Sequence, residues 1–176
     1  MTQYKWEIAK TFNWEGGHRV HNQSLTRPDL SLTTVCACKN LHGHSYKIKV
    51  HLGADELGDQ QMVLDFKNLE FMKQFVDDIL DHKFMIDIND PNFELITGLK
   101  GNFNPAQCDN LGDLYPSGDS QVQLHRGSFV IVDFVPTSEN IAKFIFEYAK
   151  TRLSDLVTVV AVELWETEKS YCRYTG

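Results

Sequence analysis

Between residues 45 and 52 the chain alternates without interruption, with Tyr46, Ile48, Val50 and Leu52 on one side and Lys47, Lys49 and His51 on the other. A period of two marks a strand with one buried face, and residues 6–12 read as an earlier strand. After Asp65 the period changes. Leu69, Met72, Val76, Ile79 and Leu80 recur at helical spacing up to Asp81-His82, and Asp65 is placed to cap that helix. A second helix follows Pro136-Thr137-Ser138, with Ile141, Phe144, Ile145, Tyr148 and Leu153 as its apolar face. The β-branched and aromatic run 129–134 lies between the helices, and 157–166 with 171–174 form a terminal hairpin. This order of elements gives an α+β fold with a largely antiparallel sheet.

Residues 87–127 break the pattern. They are rich in Asn, Asp, Gly and Pro, follow no sustained period, and are long for a connection inside a domain. They read as an insertion within a single domain spanning 1–176.

A chain of 176 residues, 42% hydrophobic, suits one compact core. It has no apolar run long enough to span a membrane and no apolar signal core at Met1-Thr2-Gln3-Tyr4-Lys5-Trp6, so a soluble cytoplasmic protein is expected. Acidic residues outnumber basic ones by 24 to 17 and the basic ones are scattered, which argues against a nucleic-acid partner. Cys36, Cys38, Cys108 and Cys172 are expected as free thiols in that compartment.

The strongest chemical signal is Leu41-His42-Gly43-His44. In an extended chain residues i and i+2 project to one side, so both imidazoles reach the same ion and continue the buried row of Tyr46, Ile48 and Val50. A catalytic zinc takes three protein ligands and keeps an open position. His18 and His21 are the candidates for the third, with Gly16-Gly17 before them suggesting a turn. His51 faces away from the row and His125 lies in the insertion, and both read as solvated.

Cys36 and Cys38 precede the histidines, and a thiol beside a metal has its pKa lowered enough to act as a base. Asp81 beside His82 is the pairing that orients and charges an imidazole for proton transfer. Glu166 shares its strand parity with Val160, Val162 and Leu164, which puts a carboxylate at the end of an apolar face, whereas Glu163 reads as solvated. A carboxylate so placed pairs with a cation or recognises paired N–H donors, as an aminopyrimidinone ring presents.

Six segments, in order, resemble the 6-pyruvoyl/6-carboxytetrahydropterin synthase family. They are Phe12-Asn13-Trp14-Glu15-Gly16-Gly17-His18-Arg19, Cys38 through His42-Gly43-His44-Ser45-Tyr46, Val63-Leu64-Asp65-Phe66 with Leu69, Leu80-Asp81-His82, Pro136-Thr137-Ser138-Glu139-Asn140-Ile141-Ala142, and Glu166-Thr167. The resemblance implies the T-fold: a four-stranded antiparallel sheet with two helices on one face, closing barrels as a homohexamer built from two trimers. It implies zinc on His18, His42 and His44, which selects His18 over His21. It also implies Cys38 as proton acceptor, Asp81 and His82 as its relay, Glu166 gripping the pterin ring, and Thr137 and Ser138 contacting it.

The implied substrate is the reduced pterin 7,8-dihydroneopterin triphosphate. Three residues separate Cys38 from His42, the spacing of the branch that makes 6-carboxytetrahydropterin in queuosine biosynthesis and releases acetaldehyde and triphosphate. Five separate Cys36 from His42, the spacing of the pyruvoyl-forming branch. A zinc-containing pterin-binding protein without catalysis is the reading from another class.

Overall fold

The computed structural model describes residues 4–24, 36–100, 105–106, 127–153 and 157–176. Its spine is a long antiparallel pair, β1 (Trp6–His18) and β2 (His42–Ala54), in unbroken register from Trp6 opposite Ala54 to His18 opposite His42. The predicted alternation holds along β2, where Tyr46, Ile48, Val50 and Leu52 are all 2% exposed or less.

β1 runs past the expected end at Phe12. Gly16 and Gly17 do not turn: they stay in the ladder opposite His44 and Gly43. Their lack of a side chain serves close approach instead, because a Cβ on Gly17 would collide with the Phe84 ring and stand 3.1 Å from the His42 carbonyl. Carrying β1 through these glycines delivers His18 to the sheet.

Six strands, rather than the expected four, form the sheet. The short β3 (Lys83–Asp87) lies parallel to the end of β1, and β4 (Phe129–Val132) lies parallel to β3. β5 (Thr158–Thr167) pairs antiparallel with β2, and β6 (Ser170–Tyr174) with β5, giving the order β4-β3-β1-β2-β5-β6. The four antiparallel strands are therefore present, with a parallel pair added beside β1. β3 escaped the pattern because Met85, Ile86 and Asp87 are all buried, and a strand covered on both faces does not alternate.

A register shift at His51/Leu52 moves the partner from Ala161 to Val159, leaving Val160 as the extra residue. Val159, Val162 and Leu164 are buried, whereas Val160, expected in their row, is only half-buried.

One face of the sheet is covered by two helical segments. The first begins with a 3-10 turn (Phe66–Leu69), continues as α1 (Glu70–Phe75) and ends in a π-turn (Val76–Leu80). Asp65 caps it by accepting from the Lys67 N–H at 2.8 Å. On the far side of β3 and β4, a smaller cluster of Ile86, Phe93, Leu99 and Ile131 forms around α2 (Phe93–Thr97). The stretch expected as an unpatterned insertion thus begins with the last residue of β3 and a helix, while Cys108 and His125 lie outside the described residues. The second covering helix is α3 (Ser138–Leu153), whose N–H of Asn140 donates to the Thr137 hydroxyl at 3.3 Å. Phe75, Leu80, Ile141 and Ile145 meet Ile48, Val50 and Leu164 in the main core, where truncating one large aliphatic to Ala costs about 2–5 kcal/mol.

The opposite face also differs from expectation. His51 is 7% exposed and lies 2.7 Å from Glu7 and 3.2 Å from Glu163. Glu163 in turn bonds Arg173 at 2.7 Å. Strand parity placed His51 and Glu163 correctly on the second face, but burial there comes from cross-strand neighbours on β1, β5 and β6. Among the described residues no helix is long and apolar enough to cross a membrane.

Candidate metal centre and catalytic residues

The end of the β1–β2 pair brings three imidazoles together. His18 and His42 are direct cross-strand partners, and His44 follows His42 on the same face. One ligand nitrogen from each lies within 4.8 Å of the others, a grouping suited to a metal ion. His21, the other candidate, points elsewhere: its Nε2 lies 3.1 Å from Asp87 Oδ2.

The tautomers follow from the acceptors. His18 Nδ1 stands 2.6 Å from the Pro136 carbonyl and His42 Nδ1 2.8 Å from the Asn40 carbonyl. A carbonyl only accepts, so both Nδ1 atoms carry the proton and both Nε2 atoms present lone pairs. Those two Nε2 atoms are 3.0 Å apart. Facing lone pairs repel unless a cation lies between them, and two tetrahedral zinc ligands at about 2.0–2.1 Å stand roughly 3.3 Å apart. The donor set fits zinc, with the carbonyls as the outer partners that fix ring orientation.

Electrostatics agree with a ligand role. Burial lowers the His18 pKa to about 4, with the His42 and His44 rings adding to the effect against the Pro136 carbonyl, which raises it. Burial and then His42 also lower His44. Imidazoles held neutral keep a lone pair for a metal.

Glu166 stands at this cluster, with Oε1 3.8 Å from His18 Nε2. Burial, then the nearby Glu139 carboxylate, raise its pKa, while His42 lowers it. The half-buried Cys38 lies in the 3-10 turn Ala37–Lys39. Burial, the hydrogen-bonded Cys36 thiol and Glu166 push its thiol up. On balance the protein groups therefore act against the lowering expected from sequence, with a backbone hydrogen bond of the turn as the one opposing contribution.

Asp81 and His82 form a pair at 2.7 Å on the loop after the first helix. His82 adopts φ 57 and its side chain is 81% exposed. The loop is clipped to β1 on both sides, as Asp81 Oδ1 accepts from the Glu15 N–H at 2.9 Å and the His82 N–H donates to the Glu15 carbonyl at 2.7 Å. The Glu15 contact, and then His82, hold the Asp81 carboxyl below its ordinary value. No hydrogen bond or ion pair among the described residues joins this pair to Cys38. Thr137 and Ser138 adjoin Pro136, the partner of His18. The Thr137 hydroxyl caps α3, and the Ser138 carbonyl accepts from the Cys172 thiol at 3.1 Å.

Sequence reading gave no role to Arg19, which only closes a family segment, and did not single out Asp90 or Asn92; the three meet beside the Cys38 turn. The available signal was the Asp and Asn spacing of residues 87–92, a composition that builds side-chain-capped turns.

The sequence profile of the family described as 6-pyruvoyl tetrahydropterin synthase matches residues 7–176. The 6-carboxy-5,6,7,8-tetrahydropterin synthase of Aquifex aeolicus is 36% identical over 97% of this chain and 98% of its own length. That of Haemophilus influenzae is 30% identical over 78% of this chain and 83% of its own. In structure, an uncharacterized protein of Wolinella succinogenes superposes with a TM-score of 0.80 at 37% identity, covering 97% of this chain and 98% of that one. The 6-pyruvoyl tetrahydropterin synthase of Caenorhabditis elegans shares the fold, with a TM-score of 0.58 at 23% identity over 100% of this chain and 99% of its own.

Proposed function

Because the chain belongs to the 6-pyruvoyl tetrahydropterin synthase family, we propose that it is a zinc-dependent lyase. It converts 7,8-dihydroneopterin triphosphate to 6-carboxy-5,6,7,8-tetrahydropterin, releasing acetaldehyde and triphosphate, in the cytoplasmic route to 7-deazaguanine. The observation that carries the metal chemistry is the pair of facing Nε2 lone pairs of His18 and His42, with His44 beside them. The carboxy-forming product is favoured by the spacing of Cys38 from His42 and by the two 6-carboxy relatives described above.

Bound at these three histidines, zinc supplies Lewis acidity to the hydroxyls of the pterin side chain. Glu166 accepts from the N–H donors of the pterin ring and so fixes how the side chain enters the site. Thr137 and Ser138 form the second contact segment for the pterin ring. The Cys38 thiolate takes a proton from a side-chain carbon, and His82, oriented by Asp81, delivers its own proton to the pterin, so that protons move between side chain and ring. Among the described residues Asp81 and His82 make no bond to Cys38, and in this reading the relay runs across a subunit boundary in a homohexamer.

The test is turnover of 7,8-dihydroneopterin triphosphate by zinc-loaded protein, by chelator-treated protein and after zinc is restored. Activity lost on chelation and regained with zinc is the expected result. Equal activity in all three states contradicts a zinc-dependent reaction.

A further inference from the structure

Arg19 follows His18 at the point where β1 leaves the sheet. Its guanidinium is spent on two other segments at once. Nε donates to the Lys39 carbonyl at 2.7 Å, next to Cys38, and Nη1 donates to Asp90 Oδ1 at 3.0 Å. With its amide oxygen turned toward Arg19, Asn92 accepts from Nη1 and Nη2 at 3.1 and 3.2 Å. The backbone repeats the connection one residue later, where the Val20 N–H donates to the Cys38 carbonyl at 2.9 Å.

The acceptor side is built rather than incidental. The Asp90 side chain is 1% exposed and that of Arg19 13%. Asp90 Oδ1 also accepts from the Asn92 N–H at 2.8 Å, so carboxylate and amide are set as one receiving surface. Nearby, His21 grips Asp87 at 3.1 Å, tying the same post-β1 segment to the same turn. A planar fork with fixed donors suits this arrangement, since it reaches acceptors on two segments in one plane, as an ammonium cannot.

We propose that Arg19 is a positioning residue for Cys38: anchored on Asp90 and Asn92, it holds the thiol-bearing turn Ala37–Lys39 against the end of β1, where His18 sits. This rests on the reading of Cys38 as the proton acceptor. Residues 87–92 thereby gain a role as the foundation of the catalytic turn. The turn itself buries none of its residues, so it has little packing of its own to hold it in place.

Positioning predicts a particular separation of effects. In Arg19→Lys the charge opposite buried Asp90 is kept but the fork is lost. Zinc content and pterin affinity stay near wild type while kcat falls by roughly 10- to 100-fold, the scale of a sub-ångström to 1 Å misplacement. Asp90→Asn, which keeps the shape but removes the charge, moves kcat in the same direction. The second readout needs no turnover: the iodoacetamide alkylation rate of Cys38 changes by about 3-fold or more in both variants while that of Cys172 does not, reporting altered thiol placement and access.

Unchanged kcat and unchanged Cys38 alkylation in both variants overturn the proposal. So does loss of zinc or a collapse of Tm in both, which assigns Arg19 to folding or to the metal centre. A wild-type protein that fails to turn over the pterin counts against the proposed function alone, because the alkylation comparison still reports whether Arg19 holds the Cys38 turn.

Discussion

His18 and His42 face each other across the β1–β2 ladder with their Nε2 atoms 3.0 Å apart, each ring turned by a carbonyl on its other nitrogen. Both nitrogens are acceptors, so a metal ion at this point would take a lone pair from each. This relationship is the centre of the proposed chemistry. His44 supplies a third nitrogen from the same face.

Purified protein is accordingly expected to hold about one zinc per subunit. His18→Ala, His42→Ala or His44→Ala should each remove most of it, and His21→Ala should not. Saturating zinc should stabilise the fold by about 2.7 kcal/mol when free metal is 100 times its Kd. Metal analysis with melting in the presence and absence of chelator checks both, and full zinc in His18→Ala alongside loss in His21→Ala reverses the ligand assignment.

Metal-free protein should lose stability as pH falls from about 6.5 to 4. His18 has a folded pKa lowered to about 4 by burial against an unfolded value of 6.5. In that window the unfolded chain binds a proton that the folded chain refuses, so stability is full above 6.5 and declines below it. The loss is on the order of 3 kcal/mol at pH 4 for this one group. Melting of chelated protein across pH, compared with His18→Gln, isolates it. Identical pH profiles for the two proteins would exclude His18 as the source.

Cys38→Ala should reduce turnover by at least about 100-fold while zinc and pterin binding persist, because the thiol is assigned to proton transfer. Cys36→Ala should be far milder. The opposite ranking, measured under reducing conditions, moves the role to Cys36 and favours the pyruvoyl-forming reaction.

Glu166→Gln should weaken pterin binding by roughly 10- to 100-fold, since an amide offers one acceptor and one opposing donor where the carboxylate accepts twice. Zinc content should hold. Binding measured with a non-hydrolysable pterin distinguishes this from a role at the metal: equal affinity with lost zinc places Glu166 with the histidines, where it stands 3.8 Å from His18 Nε2.

Much of this site was legible because its signals are local. The alternation from Tyr46 to Leu52 fixed the face of β2, and the i, i+2 rule then aimed His42 and His44 together. The third imidazole of the cluster was not local. His18 depends on β1 continuing through Gly16-Gly17, and a glycine pair reads as a turn unless the ring of Phe84, from another strand, is known to lie over it. β3 was hidden by burial on both faces, and Val160 by a bulge that resets parity. His51 and Glu163 looked solvated because their burial is contributed by Glu7 and Arg173 on neighbouring strands. Arg19 closed a family segment but its role could not be read there, since its acceptors lie 20 and 71 residues away.

The most direct test of the proposed reaction is product analysis after zinc-loaded protein meets 7,8-dihydroneopterin triphosphate under reducing, anaerobic conditions. The account predicts 6-carboxytetrahydropterin with acetaldehyde and triphosphate in equal amounts, because carboxy formation breaks a carbon–carbon bond. Triphosphate without acetaldehyde contradicts it and assigns the pyruvoyl-forming reaction. Neither product, from protein that binds both zinc and the pterin, contradicts catalysis altogether and leaves a pterin-binding protein.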